Sequence, residues 1–149
     1  MEIDKDYKEF LLLLNQNNVE YLVVGGYAVA FHGYPRYTGD MDIWINSTKE
    51  NAEQLIKAID KFGFDAKPLK GHDFEQEVIA FHLGTPPIRI DIMNRIAGVK
   101  FSECYSRKNE LEIEGMLINY IAYQDLITNK KASGRHKDLS DIENLQPPR

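Results

Sequence analysis

The sequence predicts an α+β (α/β mixed) fold, in which a small mixed β-sheet is flanked by helices and two helices end the chain. Short apolar runs with strand-like alternation are interspersed with segments of helical periodicity. The alternation is clearest at residues 41–45, and a paired-strand pattern follows near residues 76–93. With 149 residues, 43% of them hydrophobic and 28% charged, the chain has the size and composition of one globular domain. We therefore expect a single domain over residues 1–149.

The first half of the chain contains two strands and three helices. Apolar residues at helical spacing predict a first helix over 4–18, which the polar run 15–18 ends. The apolar run 21–24 predicts a strand that ends at a glycine pair, and a short helix over 27–32 follows. Residues 41–45 form the next strand, and a capping Ser47 or Thr48 starts a helix over about 49–62 that Gly63 closes.

The second half contains two hairpins and the closing helices. Strands are predicted near 76–83 and 87–93, joined at 84–87, where a glycine and two prolines favour a turn. A helical or looped piece over 97–107 and a second hairpin over 111–118 follow. Helices over about 122–131 and 135–145 complete the order, and 147–149 are expected to form a frayed tail.

Charge, cysteine content and hydropathy limit the function classes. Lysine and arginine number 18 against 23 aspartate and glutamate, a formal charge of −5, which argues against sequence-blind nucleic-acid binding over the whole surface. A local basic groove stays open. Cys104 is the only cysteine, which excludes a disulfide within the chain and favours a reducing, cytoplasmic location. No apolar stretch reaches the 18 residues that a membrane span needs, so we expect no membrane partner.

Two carboxylates lie on one face of the strand at 41–45. Asp40 and Asp42 are two residues apart, so their side chains point to the same side, about 6.6 Å apart along the strand. Oxygen ligands of this kind suit Mg²⁺ or Mn²⁺, which commonly bind one or two protein carboxylates plus substrate phosphates. The alternative is a solvated strand edge with two surface aspartates.

A third carboxylate stands in the later strand near 87–93. If this strand lies beside the Asp40 strand, then Asp91 joins the other two carboxylates at one place. Two-metal sites use such a set to hold the attacking and leaving oxygens of a phosphoryl or nucleotidyl transfer. The alternative is that Asp91 pairs with Arg89, two residues away on the same face.

A glycine pair joins the strand at 21–24 to the short helix. At Gly25 and Gly26 the backbone N–H groups can approach a polyphosphate closely, and a helix N-terminus favours negative charge. The sequence has neither the GxGxxG pattern of dinucleotide-binding folds nor the P-loop pattern. A tight strand–helix turn without a ligand is the alternative.

Taken together, these motifs resemble the DNA polymerase β-like nucleotidyltransferase superfamily, especially its small prokaryotic members in toxin–antitoxin and abortive-infection systems. That signature is a glycine pair, a short helix, an Asp-x-Asp strand and a third aspartate on a later strand. The matching residues are Val24-Gly25-Gly26-Tyr27-Ala28-Val29-Ala30, His32-Gly33, Arg36, Thr38, Asp40-Met41-Asp42-Ile43 and Asp91, with a less specific match at Arg135-x-Lys137-Asp138-x-x-Asp141.

The resemblance implies a metal-dependent transfer of an NMP from an NTP to an acceptor hydroxyl, with release of pyrophosphate. Asp40 and Asp42 would ligate Mg²⁺ or Mn²⁺, and Asp91 would complete the site and help to deprotonate the attacking hydroxyl. Gly25 and Gly26 would hold the triphosphate. The acceptor could be RNA (a tRNA 3′ end), a protein side chain or a small molecule. Many family members have Gly-Ser where this chain has two glycines, and no sizeable helical domain follows.

Three further residues are candidate nucleotide contacts. Arg36 and Thr38 precede the aspartate pair in a loop from which they could reach a phosphate, although a loop cap or an ion pair with Asp40 is equally open. Lys137 belongs to a basic cluster near the end of the chain and could neutralise triphosphate charge. Its alternative is a favourable cation at a helix end.

Two other functions stay open on this sequence. The fold could bind a nucleotide without transferring it, as a catalytically silent module or a toxin–antitoxin component. It could also be an interaction domain in which the three aspartates are only surface charges. For so small a domain, a second copy of the chain or a helical partner protein could complete the acceptor site.

Overall fold

The computed structural model describes residues 3–145 and has the mixed architecture that the sequence predicts. The helices are α1 (Lys5–Gln16), α2 (Gly25–Phe31), α3 (Lys49–Phe62), α4 (Phe101–Ser106), α5 (Tyr123–Ser133) and α6 (His136–Asn144). The strands are β1 (Tyr21–Val24), β2 (Asp40–Ile45), β3 (Ala80–Thr85), β4 (Ile88–Met93), β5 (Asn109–Ile113) and β6 (Met116–Tyr120). A single 3₁₀ turn over Lys67–Leu69 follows α3. The described residues contain no helix long and apolar enough to cross a membrane.

All six strands form one sheet in the order β3-β4-β2-β1-β6-β5. Strands β2 and β4 run parallel, as do β1 and β6, while the other neighbours are antiparallel. The sheet is therefore mixed, as predicted. This order places β4 directly beside β2, and β1, which leads into the glycine pair, on the other side of β2. The three segments that carry the candidate site are thus adjacent.

A continuous apolar core fixes the face that each strand residue occupies. Along β2, Met41, Ile43 and Ile45 are fully buried, as the alternation predicts. The same core includes the apolar stripes of α1 and α3, which contact each other. On the other face of β2, Trp44 is also buried and meets the ring of Phe101 edge-on, with 5.1 Å between ring centroids. The core thus leaves only Asp40 and Asp42 of β2 partly exposed.

Helix α3 begins and ends as the sequence predicts. The Thr48 hydroxyl accepts a hydrogen bond from the backbone N–H of Asn51 at 3.2 Å, and Gly63 closes the helix in the left-handed region at φ 94°.

Strand β3 starts four residues later than the sequence predicts. Residues 76–79 belong to a connection held by Asn94, whose side-chain amide donates to the carbonyls of Phe74 and Glu77. The Asn94 side-chain oxygen accepts from the N–H of Ile79 at 2.7 Å. Asn94 is buried and directly follows the neighbouring strand β4. The sequence around residues 76–79 therefore does not predict these hydrogen bonds.

Two other predicted boundaries also shift. The glycine pair forms the first turn of α2 rather than a linker before it, so the helix starts at Gly25 and not at residue 27. The piece predicted over 97–107 contains the six-residue helix α4. The tail predicted at 147–149 lies outside the described residues.

Candidate active site

The structure brings the three predicted aspartates together on neighbouring strands. In the parallel β2–β4 pair, Asp42 lies directly opposite Asp91, and Asp40 lies opposite Arg89. Adjacent strands are about 4.8 Å apart, and residues in register point to the same face. The carboxylates of Asp40, Asp42 and Asp91 therefore share one patch of the sheet, as expected if these two strands are neighbours.

Asp42 is a partly buried carboxyl group of this patch. Burial, together with the negative charges of Asp91 and Asp40, raises its pKa from the ordinary 3.8 to about 6, while Lys137 and Lys130 act in the opposite direction. Among residues 3–145, no side chain or backbone group forms a hydrogen bond or ion pair with its carboxylate. This uncompensated charge makes the patch attractive to a cation.

Asp91 has protein partners. Its Oδ1 lies 2.8 Å from Nε of Arg89 and 2.6 Å from Nδ1 of His82. Nε of Arg89 is also 3.8 Å from Oδ2 of Asp40, and its Nη2 lies 3.1 Å from Nδ1 of His82. The pairing with Arg89 that the sequence offered as an alternative is therefore present, in addition to the shared patch of carboxylates.

The donor chemistry of the patch fits a hard divalent cation, although the side chains do not converge on one point. Within the described part of the chain, no three or more His, Cys, Asp or Glu side chains are arranged to hold a metal ion. Asp91 contacts Arg89 and His82. Asp40 and Asp42 offer carboxylate oxygens, the ligands that Mg²⁺ and Mn²⁺ prefer, and Asp42 bears the unneutralised charge.

The glycine pair is fitted against this patch. Gly25 has φ +66°, and a Cβ at this position would overlap Oδ2 of Asp42. A Cβ on Gly26 would lie 2.6 Å from Cγ2 and 2.8 Å from Oγ1 of Thr38. A serine at position 26, as in many members of the superfamily, would therefore require the Thr38 side chain to move. The positive φ and the overlap favour glycine at position 25, where the bare backbone lies beside Asp42.

The loop before β2 has a different set of contacts from those predicted. Thr38 lies beside Gly26 and donates a hydrogen bond to the carbonyl of Arg36 at 3.2 Å. The Arg36 guanidinium forms a bidentate ion pair with Asp141, with both N–O distances at 2.9 Å. The suggested pairing of Arg36 with Asp40 is therefore wrong, because Asp141 of α6 takes the guanidinium. A phosphate role for Arg36 and Thr38 stays a prediction.

The residues that hold α6 in place form a buried ion network. Nζ of Lys130, in α5, lies 3.0 Å from both Asp138 and Asp141, and all three side chains are at least 95% buried. Arg135 adds a hydrogen bond to Asp138 at 2.8 Å. Burial alone would raise the pKa of Asp138, but the hydrogen bonds from Arg135 and Lys130 hold it far below its usual range. Lys137, between these residues in sequence, stays exposed and acts electrostatically on Asp42.

Sequence reasoning missed two parts of this site. His82 had no recognisable ligand spacing, and only the register of the β3–β4 hairpin places it opposite Asp91. A prediction that the β3–β4 turn centres on residues 86–87 would have placed His82 opposite Asp91. The second part is the inward orientation of Asp138 and Asp141, whose spacing of three residues on one helix predicts a shared face.

The sequence matches a protein family over residues 1–146. That family is described as "Nucleotidyltransferase of unknown function (DUF6036)". The chain belongs to this family. The resemblance to nucleotidyltransferases that the motifs indicate is thus confirmed, and nucleotidyl transfer is the general activity that the family supports. No curated protein matches the chain significantly.

Solved nucleotidyltransferase structures share the fold at low sequence identity. The candidate nucleotidyltransferase TM1012 of Thermotoga maritima is 17% identical, with a TM-score of 0.62, and the match covers 92% of this chain and 88% of that one. The lincosamide antibiotic adenylyltransferase LnuA, solved with lincomycin bound, is 15% identical with a TM-score of 0.57 and 96% of both chains covered. The antibiotic-resistance factor ANT(2'')-Ia is 12% identical with a TM-score of 0.59, covering 94% of this chain and 80% of that one. At these identities the likeness establishes the fold, and it confirms the predicted fold class.

Proposed function

We propose that the protein is a divalent-metal-dependent nucleotidyltransferase that moves an NMP from an NTP to an acceptor hydroxyl and releases pyrophosphate. The observation that carries the proposal is the register of β2 and β4, which sets Asp40, Asp42 and Asp91 on one patch. The raised pKa of Asp42 adds support, since burial and the charges of Asp91 and Asp40 outweigh the opposing effect of Lys137 and Lys130. Family membership supports the same class of reaction.

Each candidate residue has a role in this reaction. Asp40 and Asp42 would hold Mg²⁺ or Mn²⁺, which when bound stabilises the charge that develops on the phosphates during transfer. Asp91, beside them, would complete the metal site and help to accept the proton of the attacking hydroxyl. The peptide groups of Gly25 and Gly26 approach the same patch and would contact the triphosphate, which Lys137 would help to neutralise. Arg36 would act mainly by fixing the loop that carries Thr38.

Among the possible acceptors we favour a small molecule that carries a hydroxyl group. Two proteins with the same fold are named for antibiotics, one as a lincosamide adenylyltransferase and one as a resistance factor. The match spans 96% and 94% of this chain, so the small acceptor is associated with a protein core of similar extent. RNA ends and protein side chains are the remaining acceptor classes to be tested beside it.

A specific observation favours one second candidate, a module that binds a nucleotide but does not transfer it, for example within a toxin–antitoxin pair. Asp91, the residue expected to receive the proton, is engaged by both Arg89 and His82. If these contacts persist when nucleotide binds, the hydroxyl cannot be activated there. Such a module would bind an NTP and release no pyrophosphate with any acceptor.

Pyrophosphate release distinguishes the two functions. The assay takes each of the four NTPs with Mg²⁺, Mn²⁺ or EDTA, and offers hydroxyl-bearing antibiotics, tRNA or a protein mixture as the acceptor. Transfer predicts release that requires metal and one acceptor class and that is lost in Asp42→Asn. Asp60→Asn is the matched control, because Asp60 is an exposed carboxylate on α3. Binding of an NTP without release under every condition would favour the silent module instead.

A further inference from the structure

The patch of carboxylates extends to a third strand, because residues in register on β3, β4 and β2 form a row across the sheet. His82 on β3 is the register partner of Asp91 on β4, and Asp91 is the partner of Asp42 on β2. A second row joins Gly84, Arg89 and Asp40 in the same order. Because strand pairing fixes both rows, the side chains cannot separate without a change of rotamer. In its present rotamer, Arg89 thus lies beside the candidate metal ligands.

Arg89 occupies the electrostatic position that a cation would take next to Asp91. Its Nε lies 2.8 Å from Asp91 and 3.8 Å from Asp40, so one positive charge is shared by two of the three carboxylates. His82 completes the arrangement through its contacts with both Asp91 and Arg89. Among the described residues, Asp42 forms no ion pair or side-chain hydrogen bond with Arg89 or His82.

We propose that Arg89 competes with the divalent cation for Asp91, so that Asp91 joins the metal site only when the guanidinium withdraws. This inference rests on the proposed function, since it assumes that the patch binds a metal. A guanidinium and a divalent cation cannot both lie against the same carboxylate oxygens at contact distance without strong repulsion. In the metal-free protein, Asp91 therefore forms an ion pair with Arg89, and His82 also contacts its carboxylate. Asp91 is then not available as the third metal ligand.

The arrangement has a consequence for nucleotide binding. The phosphates of an incoming NTP offer the guanidinium a new partner with good hydrogen-bonding geometry. When Arg89 moves to a phosphate, Asp91 becomes available to the cation. The metal and the nucleotide are then expected to bind more tightly together than either does alone.

Mn²⁺ binding in the absence of nucleotide tests the proposal directly. Electron paramagnetic resonance of free Mn²⁺ gives its dissociation constant for the wild type, Arg89→Gln, Arg89→Lys, Arg107→Gln and Asp42→Asn. We expect Arg89→Gln to bind Mn²⁺ more tightly by about threefold or more, the gain from removing a partly exposed competing ion pair. Arg89→Lys keeps the charge and should stay closer to the wild type than Arg89→Gln does.

The control is Arg107→Gln, which removes the same charge from another arginine–aspartate pair. Arg107 bonds Asp125 at 2.8 Å and belongs to neither row of side chains. It should leave the Mn²⁺ affinity at the wild-type value, which would exclude a general effect of net charge. Circular dichroism of each variant verifies that the fold persists.

Two results would overturn the inference, and they separate it from the proposed function. If wild-type binding depends on Asp42 but Arg89→Gln binds Mn²⁺ equally or less tightly, the metal site stands and the competition does not. In that case Arg89 orients Asp91 instead of withholding it. If no variant binds Mn²⁺, or if Asp42→Asn binds it like the wild type, the metal site itself fails and the inference fails with it.

Discussion

Asp42 is a carboxyl group whose surroundings disfavour its charged form. Its pKa of about 6 in the folded protein exceeds the ordinary 3.8, so between these values the folded state binds more protons than the unfolded state. For the metal-free protein, Asp42 therefore has no effect on stability below pH 3.8 and becomes increasingly unfavourable as the pH rises through 6. A bound divalent cation would remove this cost.

The first prediction is that Asp42→Asn stabilises the metal-free protein at neutral pH. The amide keeps the shape and removes the buried charge, so we expect a gain of about 2–3 kcal/mol at pH 7 in EDTA. The gain should narrow toward pH 5, where the wild-type carboxyl group is mostly protonated. Urea unfolding of both proteins across this range measures it. Equal stability at pH 7 would show that the charge is balanced in solution.

Gly25 supports a second prediction at the scale of one residue. Gly25→Ala adds a methyl group at φ +66° that overlaps the Asp42 carboxylate, so it should cost more than the left-handed backbone strain of about 1 kcal/mol and should also lower NTP affinity. Gly115→Ala is the control, because Gly115 has φ +80° and a Cβ there would meet no atom within 4 Å. Equal losses of stability in the two variants would refute the close fit against Asp42.

Helix α6 is fastened to the protein mainly by charge. Asp141 is 2% exposed and binds both Arg36 and Lys130, so it links the loop before β2 to α5 and α6. Removing one partner from a buried ion pair leaves the others unbalanced in a medium of low polarity. The network thus controls where Lys137 lies relative to Asp42.

The third prediction is that Asp141→Asn destabilises the fold by about 3 kcal/mol, because it leaves Arg36 without its counter-charge and Lys130 with Asp138 alone. Arg107→Gln breaks a single pair whose arginine is 53% exposed, so we expect it to destabilise the fold less than Asp141→Asn does. Urea unfolding gives both values. A loss for Asp141→Asn no larger than that for Arg107→Gln would mean that α6 is held by apolar packing instead.

Most elements could be predicted because their signals are local. The caps Thr48 and Gly63 delimit α3, and the alternation along β2 identifies its core face. The contacts that escaped prediction join residues far apart in sequence. Asn94 sets the start of β3 across the sheet, and Asp141 captures Arg36 across 105 residues. No sequence period encodes such partners, since they depend on which strands and helices become neighbours.

For the molecule as a whole, the order of the strands in the sheet determines whether the aspartates and the glycine pair lie close enough together to form one binding site. The aspartates of β2 and β4 could be recognised separately in the sequence, but their proximity depended on β4 pairing with β2, which the structure shows. The glycine pair reaches the same place because β1 flanks β2 on the other side. The contacts of Asp91 with Arg89 and His82, by contrast, emerge only in three dimensions.

The most direct test of the central claim is a thermal-shift measurement with each NTP, with and without Mg²⁺, on the wild type and Asp42→Asn. A ligand at 100 times its dissociation constant adds about 2.7 kcal/mol, which raises the Tm of a domain this size by several degrees. We expect stabilisation that requires the metal, the nucleotide and Asp42 together. Stabilisation that persists unchanged in Asp42→Asn, or no shift with any nucleotide, would contradict the assignment of this patch as the nucleotide and metal site.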